Sequence, residues 1–121
     1  MNNLELQACR KMLFLDVVDA AKHIGGVEAR TWRYYESGRS SIPERVLLKI
    51  DALLQRRADV LEQMRAEAVE YRKKGDGRLV TPYHPTFEQF EQDTGVPDQL
   101  EWHIDMSVKS ALYLEDMVTF Y

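Results

Sequence analysis

Several features are scarce or absent in this sequence of 121 residues, and each absence excludes a class of protein. A single cysteine, Cys9, excludes an internal disulfide framework, and we expect it to be a small buried side chain. No apolar run is long enough to span a bilayer, and no charged-then-apolar signal is present at the N-terminus. We therefore expect a cytoplasmic protein with no membrane partner.

The motifs that mark catalysis or metal binding are also missing. His23, His84 and His103 are far apart in the sequence, without His-x-x-x-His spacing, and one cysteine cannot form a Cys-x-x-Cys pair. The chain has no Walker loop, no Gly-x-Ser-x-Gly and no dinucleotide fingerprint. We expect no enzymatic activity, no metal site and no cofactor.

Charge is distributed unevenly along the chain, although the net charge is −4. Residues 1–74 carry 14 Lys and Arg against 11 Asp and Glu, a net of +3, whereas residues 75–121 carry 2 against 9, a net of −7. Binding to phosphates depends on local positive charge, so the negative net charge of the chain does not exclude nucleic acid as a partner.

What the sequence does contain is two short helical patterns joined by a glycine turn, within residues 16–39. The first pattern begins at Asp16, whose carboxylate can cap a helix, and ends at the glycine pair 25–26. The second runs over about 28–37 and ends at Gly38, which suits a left-handed helix terminus. This is the pattern of a helix-turn-helix.

The second of these helices has two distinct sides. The residues at inward spacing are Val27, Thr31, Trp32 and Tyr35. The outward side carries the candidate base-reading residues Glu28, Ala29, Arg30, Arg33 and Tyr34. Because arginine can contact guanine O6 and N7 with two hydrogen bonds, this side is typical of a recognition helix in a major groove. The alternative is that both arginines are ordinary solvated helix charges.

Polar and basic residues flank this helix, and we predict that they contact the DNA backbone. The candidate phosphate-binding residues are Lys22, Arg39, Ser40 and Arg45. Contacts of this kind fix the register of a protein on DNA and carry little sequence information. The alternative for each of the basic residues is plain surface charge.

Two further helices are predicted around this pair. In the first, Leu4, Ala8 and Met12 form an apolar face that leads into the run 13–15, while Arg10 and Lys11 lie on the polar face. The second is uninterrupted from Pro43 to Lys74, as one long helix or two nearly collinear ones.

The later part of this long helix has apolar residues that need a cover. Val60, Leu61 and Met64 must be buried either by the C-terminal segment or by a second subunit. We place the boundary between a DNA-binding domain, 1–56, and an extension with a dimerisation region, 57–121.

The C-terminal region combines a short strand with two helices. A turn at residues 75–77 precedes a strand over 78–83, which pairs either with its copy across a twofold axis or within the chain. A short helix then stops at Gly95. Apolar residues alternate over 100–108 as in a strand, but they also match helical turns, and a helix is favoured over 98–117. The candidate dimer-interface residues are Leu79, Trp102, Met106, Tyr113 and Met117. Their alternative role is an intrachain core that covers the long helix.

The motif at 35–39, Tyr-Glu-Ser-Gly-Arg, followed by Ile-Pro at 42–43, resembles the end of the DNA-binding motif in Cro/CI-type repressors of the XRE group. The segments 3–8, 29–40 and 102–113 are similar to YdiL-like proteins and anti-CRISPR-associated repressors. This resemblance implies a lambda-repressor-like core in a dimeric protein that binds double-stranded DNA and represses its own operon at an inverted repeat.

Together these patterns predict a mainly α fold: a helix-turn-helix core, a long helix, and a small C-terminal dimerisation segment of helices and a short strand. The predicted function is a sequence-specific, dimeric transcriptional repressor that binds double-stranded DNA. The alternative is a protein-interaction or RNA-binding module on the same fold, since RNA bases can stack on aromatic side chains such as Tyr34.

Overall fold

The computed structural model describes residues 1–75 and 77–121, and the chain is mainly helical, as the sequence predicts. The elements of these residues are α1 (Asn3–Met12), α2 (Val17–Ala20), α3 (Ala29–Ser37), α4 (Glu44–Lys73), β1 (Leu79–Thr81), α5 (Phe87–Thr94), α6 (Gln99–Leu114) and β2 (Val118–Phe120). The chain divides into two compact units, Met1–Gln55 and Arg56–Tyr121. The division lies one residue before the predicted domain boundary, and the functions assigned to the two domains stay predictions.

Local hydrogen bonds explain where the first helices begin and end. At α1, the side chain of Asn2 accepts from the Glu5 N–H, and Glu5 accepts from the Asn2 N–H, which forms a capping box. At α2, Asp16 caps as predicted and accepts from the Asp19 N–H at 2.7 Å. The helix continues through a π-helical turn, Ala21–Gly25, which the pattern did not predict.

The second helix of the predicted pair is confirmed as α3, and it packs on α1 and α2. Its ends match the prediction, because Glu28 is the N-terminal cap residue and Gly38 follows the helix with a left-handed φ of +80°. Trp32 and Tyr35 are buried, as the inward spacing predicts, and their rings contact each other edge to face.

The predicted apolar face of α1 and its exit is correct at Leu13 and Leu15, which are buried, and wrong within the helix itself. Leu4 and Met12 are 66% and 48% exposed and Ala8 is exposed, while another side of the helix is buried. The buried residues of α1 and its end are Leu6, Cys9, Arg10 and Leu13. Their i, i+3, i+4, i+7 spacing makes one continuous stripe, and a charge lies in that stripe because a partner on α3 neutralises it. The expected burial of Cys9 is confirmed.

The long segment after Pro43 is one continuous helix of 30 residues, so the interpretation as two collinear helices does not apply. Val46 and Ile50 of α4 are fully buried in the first unit. The later part of α4, from Arg56, belongs to the second unit. There, Val60, Leu61 and Met64 are half-buried and Ala68 is buried.

The second unit contains a parallel two-stranded sheet in which β1 pairs with β2. Leu79 lies opposite Val118, and Thr81 lies opposite Phe120. The partner of β1 is therefore within the chain, which was one of the two predicted solutions. Of the predicted turn at 75–77, Asp76 lies outside the described residues.

The helices around this sheet follow the sequence prediction with one correction. α5 ends just before Gly95 and α6 begins after its cap residue Asp98, both as predicted. α6 ends at Leu114 rather than Met117, because the chain reverses and the Met117 carbonyl accepts from the Leu79 N–H at 3.0 Å. Pairing with β1 thus converts the last predicted turn of the helix into the approach to β2.

None of the helices in the described residues combines the length and hydropathy that a membrane span requires. Within the same residues, no three His, Cys, Asp or Glu side chains form a group that could hold a metal ion.

Candidate nucleic-acid interface

The outward side of α3 places most of the predicted base-reading residues in solvent. Glu28, Arg30 and Arg33 are exposed, and Ala29 and Tyr34 are half-buried. The opposite side of the helix is held by the buried Trp32 and Tyr35. α3 therefore presents two cationic side chains and a phenol from a helix whose other face is fixed in the core.

An ion pair beneath α3 ties the helix to α1. Arg10 donates from Nε to Glu36 Oε2 at 2.7 Å and from Nη2 to Glu36 Oε1 at 3.0 Å, in a bidentate pair. The remaining guanidinium nitrogen donates to the Leu15 carbonyl at 3.0 Å, and Trp32 Nε1 also donates to Glu36. Asn3 adds a bond from its side-chain amide to the Glu36 carbonyl at 3.1 Å.

These groups fix the rotation of α3 about its own axis, because they join its inner side to two points of α1 and to the loop that follows α1. Sequence reasoning missed this role for both ionic partners. It assigned Arg10 to the polar face, and it used Glu36 only as part of the family motif. A signal was present in retrospect, since an acidic residue four positions after Trp32 lies on the same buried side.

The half-buried ring of Tyr34 lies among the exposed arginines. Arg30 donates from Nε to the Tyr34 hydroxyl oxygen at 2.7 Å, and its guanidinium carbon is 5.4 Å from the ring centroid. The guanidinium carbon of Arg39 lies over the same ring at 4.4 Å. A predicted base-reading arginine and a predicted phosphate-binding arginine thus share one aromatic neighbour.

The turn between α2 and α3 is closed by several short-range contacts. Arg45, at the start of α4, donates to the Gly25 carbonyl at 2.6 Å. Val27 donates its N–H to the Ala21 carbonyl at 3.0 Å. A side chain on Gly25 would lie 2.9 Å from Val27 Cγ2 and 3.1 Å from Trp32 Cε3, so close packing requires glycine there.

The four predicted phosphate-binding residues differ in their exposure to solvent and in the hydrogen bonds that they already make. Lys22 and Arg39 are exposed. Ser40 is half-buried, and its N–H donates to the Tyr34 carbonyl at 3.1 Å. Arg45 is exposed but uses one of its nitrogens on Gly25, so it has a structural role that the sequence did not indicate.

The predicted interface residues of the second unit differ in how deeply they are buried. Met106 is 8% exposed and belongs to the core of its own unit. Trp102 is half-buried and donates from Nε1 to the His84 carbonyl at 2.9 Å. Tyr113 is 47% exposed and stacks on Phe120 with ring centroids 5.3 Å apart. Leu79 and Met117 are half-buried beside each other, joined by the backbone bond described above.

The whole length of the chain resembles one group of known proteins. A sequence model of the Aca2/YdiL-like family matches residues 1–120. The chain belongs to the Aca2/YdiL-like family. The resemblance drawn from the segments 3–8, 29–40 and 102–113 is thereby confirmed.

Two curated relatives align with nearly all of the chain. The Aca2 repressor of Pectobacterium phage ZF40 is 35% identical over 115 residues, which are 95% of each chain. The uncharacterized protein YdiL of Escherichia coli (strain K12) is 27% identical over 118 residues, which are 97% of each chain. The first of these Aca2/YdiL-like relatives is named a repressor.

Proposed function

We propose that this chain is a sequence-specific transcriptional regulator that binds double-stranded DNA as a homodimer and represses its own operon at an inverted repeat. The observation that carries the proposal is the construction of α3. Its inner side is fixed by Trp32, Tyr35 and the ion pair of Glu36, while Arg30 and Arg33 extend outward. A rigid helix with outward arginines suits readout of base edges in a major groove.

The individual side chains then take different roles. Arg30 and Arg33 donate to guanine O6 and N7, and Glu28 accepts from the amino group of cytosine. Ala29 contacts a thymine methyl group, and Tyr34 also faces the base edges in the major groove. The backbone of the DNA is held by the four flanking residues Lys22, Arg39, Ser40 and Arg45.

A homodimer supplies the second recognition helix that an inverted repeat requires. The interface we propose includes Leu79, Trp102, Met106, Tyr113 and Met117, centred on the exposed ring of Tyr113. Leu114 beside it is 84% exposed and Val80 of β1 is 50% exposed, so this unit has apolar surface left to cover. Met106 supports that surface from within, because it is buried.

The name of the Aca2 repressor, 35% identical over nearly the full length, supports a role in repression. No catalytic role is proposed for any residue. A protein that acts on DNA in this way is expected in the cytoplasm.

The deciding experiment is fluorescence anisotropy of the purified full chain with duplex DNA from upstream of its own gene, over a salt series and with a scrambled duplex as competitor. We expect saturable binding of two chains per site and a preference for the upstream duplex. Arg30→Ala should weaken that preference. The matched control is Arg65→Ala, whose guanidinium is already engaged with Glu115 at 2.8 Å.

Equal and weak binding to both duplexes would contradict the proposal. It would favour the alternative of a protein-interaction or RNA-binding module, and the same assay with single-stranded RNA would separate those two.

The dimer is tested separately by sedimentation equilibrium of the wild type, Tyr113→Ser and Tyr121→Ser. Tyr113 is the centre of the proposed interface, whereas Tyr121 is an even more exposed tyrosine of the same unit, at 76%. We expect only Tyr113→Ser to weaken the dimer. A monomeric wild type, or a Tyr113→Ser variant with unchanged association, would contradict the interface.

A further inference from the structure

The contacts around Tyr34 point to a role that goes beyond reading a base. Its hydroxyl oxygen accepts from Arg30 Nε at 2.7 Å, one helical turn away on the same side of α3. Its ring lies 4.4 Å from the guanidinium carbon of Arg39, in the loop after the helix. The backbone is also tied at this point, because the Tyr34 carbonyl accepts from the Ser40 N–H.

We propose that Tyr34 is a positioning residue which orients Arg30 for recognition of a guanine and holds Arg39 beside it. This inference rests on the proposed function and names the chemistry of its base readout. It assigns Tyr34 to act through the two arginines rather than through a base contact of its own.

The donor inventory of the guanidinium supports this assignment. Arginine has one N–H on Nε and two on each Nη, all in one plane. The Tyr34 hydroxyl takes the Nε donor and leaves the two Nη groups of Arg30, whose forward edge matches the O6 and N7 acceptors of guanine. The bond also removes rotational freedom from a long exposed side chain before DNA arrives.

The ring contributes differently to the two arginines. For Arg39, the short distance to the ring face is a cation–π contact that does not need the hydroxyl. For Arg30, the hydrogen bond is the shorter contact and the ring centroid is 5.4 Å away. Tyr34→Phe therefore removes the bond to Arg30 while it keeps the ring beside Arg39. Tyr34→Ala removes both.

The test is a cycle of four proteins: the wild type, Tyr34→Phe, Arg30→Ala and the double variant. Each is titrated by anisotropy against the upstream duplex and the scrambled duplex. Each substitution acts in both half-sites, so the loss for a single contact is squared. We expect Arg30→Ala to lower the affinity ratio of the two duplexes by about 100- to 10,000-fold, the range for two bidentate base contacts. Tyr34→Phe should lower it by roughly 10- to 100-fold, the range for two hydrogen bonds.

The decisive comparison is between the double variant and Arg30→Ala. A residue that acts only through Arg30 has nothing left to orient, so we expect Tyr34→Phe to change the ratio by less than about 2-fold in that background. Equal losses from Tyr34→Phe in both backgrounds would overturn the positioning role and show that the hydroxyl contacts DNA itself.

A chemical probe locates the contact on the DNA. Replacement of single guanines in the upstream duplex by 7-deazaguanine removes the N7 acceptor without changing base pairing. At the guanine that Arg30 contacts in each half-site, we expect the wild type to lose affinity, Tyr34→Phe to lose less and Arg30→Ala to lose nothing. The guanine that Arg33 contacts should respond equally in all three proteins. Full sensitivity of Tyr34→Phe at the guanine that Arg30 contacts would overturn the proposal.

A readout on the free protein separates this inference from the proposed function. In the ¹H–¹⁵N spectrum of arginine Nε groups, Tyr34→Phe should shift the Arg30 signal and leave that of Arg33 in place. An unchanged Arg30 signal overturns the positioning role even when DNA binding is selective. If the wild type shows no preference between the duplexes, the proposed function fails, and the readout role of Tyr34 fails with it. Selective binding that is weakened by Arg30→Ala but unchanged in Tyr34→Phe overturns only this inference.

Discussion

At the scale of single residues, the ion pair of Arg10 and Glu36 is important for the stability of the fold. Their side chains are only 10% and 8% exposed, so each charge depends on the other for compensation. Trp32 and the Leu15 carbonyl satisfy further donor and acceptor positions of the pair. The site thus resembles a fully connected polar network, in which the loss of one member leaves another buried and unpaired.

We expect Arg10→Ala to lower the free energy of unfolding by about 3–5 kcal/mol, because it leaves the Glu36 carboxylate buried without its partner. Urea denaturation followed by tryptophan fluorescence measures the loss. Arg33→Ala is the control, since this arginine is exposed on α3 and should change stability by no more than about 0.5 kcal/mol. A similar small change in both variants would contradict the structural role of the pair.

The thiol of Cys9 predicts a dependence of stability on pH. Burial raises the pKa of the Cys9 thiol above its ordinary value, and the carboxylates of Asp51 and Glu5 raise it further. The unfolded chain therefore ionises first. The contribution of the thiol is fully present below about pH 8.5, the ordinary value, and is lost as the pH rises through the higher pKa of the folded protein.

Between about pH 8 and pH 10 we expect the unfolding free energy of the wild type to fall more steeply than that of Cys9→Ala. Urea titrations of both proteins at each pH give the difference, in which the titration of all other groups cancels. Parallel curves for the two proteins would show that the thiol has the same pKa in the folded and unfolded chains.

At the scale of elements, sequence reasoning succeeded wherever the signal was local. The C-terminal end of α3 follows from Gly38, and the start of α6 follows from Asp98, because cap residues act within one turn. It failed where the burial or the existence of an element depends on a residue far away in the chain. The buried side of α1 depends on Glu36, 26 positions after Arg10, and β2 exists only because β1 offers an edge to pair with.

The candidate site divides in the same way. The exposure of Arg30 and Arg33 could be predicted from helical periodicity alone. The contact between Tyr34 and Arg39 could not, because it depends on the path of the chain after Gly38. Periodicity assigned Met106 to a possible surface, but it cannot distinguish the two apolar sides of α6, and this residue lies in the core.

The turn between α2 and α3 gives a prediction at this scale. A methyl group on Gly25 meets the Cγ2 of Val27 at 2.9 Å and the fully buried ring of Trp32 at 3.1 Å. Because the contact with Val27 is too close for a real methyl group and the ring of Trp32 is fully buried, we expect Gly25→Ala to lower the unfolding free energy by about 1–3 kcal/mol through overpacking. Differential scanning calorimetry should then show a lower Tm.

The matched variant combines Gly25→Ala with Val27→Ala, which removes the nearer methyl group. We expect the double variant to recover part of the Tm lost in Gly25→Ala, and Val27→Ala alone serves as the reference. No recovery would mean that the ring of Trp32, rather than Val27, sets the limit on space at this turn.

At the scale of the whole molecule, the net charges of the two units differ less than the net charges of residues 1–74 and 75–121. Met1–Gln55 carries 8 Lys and Arg against 7 Asp and Glu, whereas Arg56–Tyr121 carries 8 against 13. Several arginines counted in the basic part are engaged within the second unit. Arg56 binds Glu101 at 2.8 Å, Arg65 binds Glu115 at 2.8 Å, and Arg72 donates to the Asp116 carbonyl.

This arrangement predicts which charges determine the salt dependence of DNA binding. Each phosphate contact contributes about −0.9 to the slope of log affinity against log salt concentration. Arg39→Ala removes one proposed contact from each chain of a dimer, so we expect the slope to become less steep by about 2. The preference for the upstream over the scrambled duplex should change little, because phosphate contacts carry no base identity.

Arg65→Ala is the counterpart in the second unit and should leave the slope unchanged. Its ion pair is exposed on both sides, 42% and 46%, so its removal should change stability by less than about 1 kcal/mol. A slope that falls equally in both variants would mean that the second unit also faces the phosphates, and that its ion pairs open when DNA binds. A slope that responds only to Arg39→Ala assigns the electrostatic contact to the unit that contains α3, because Arg56, Arg65 and Arg78 of the other unit are already paired with its own carboxylates.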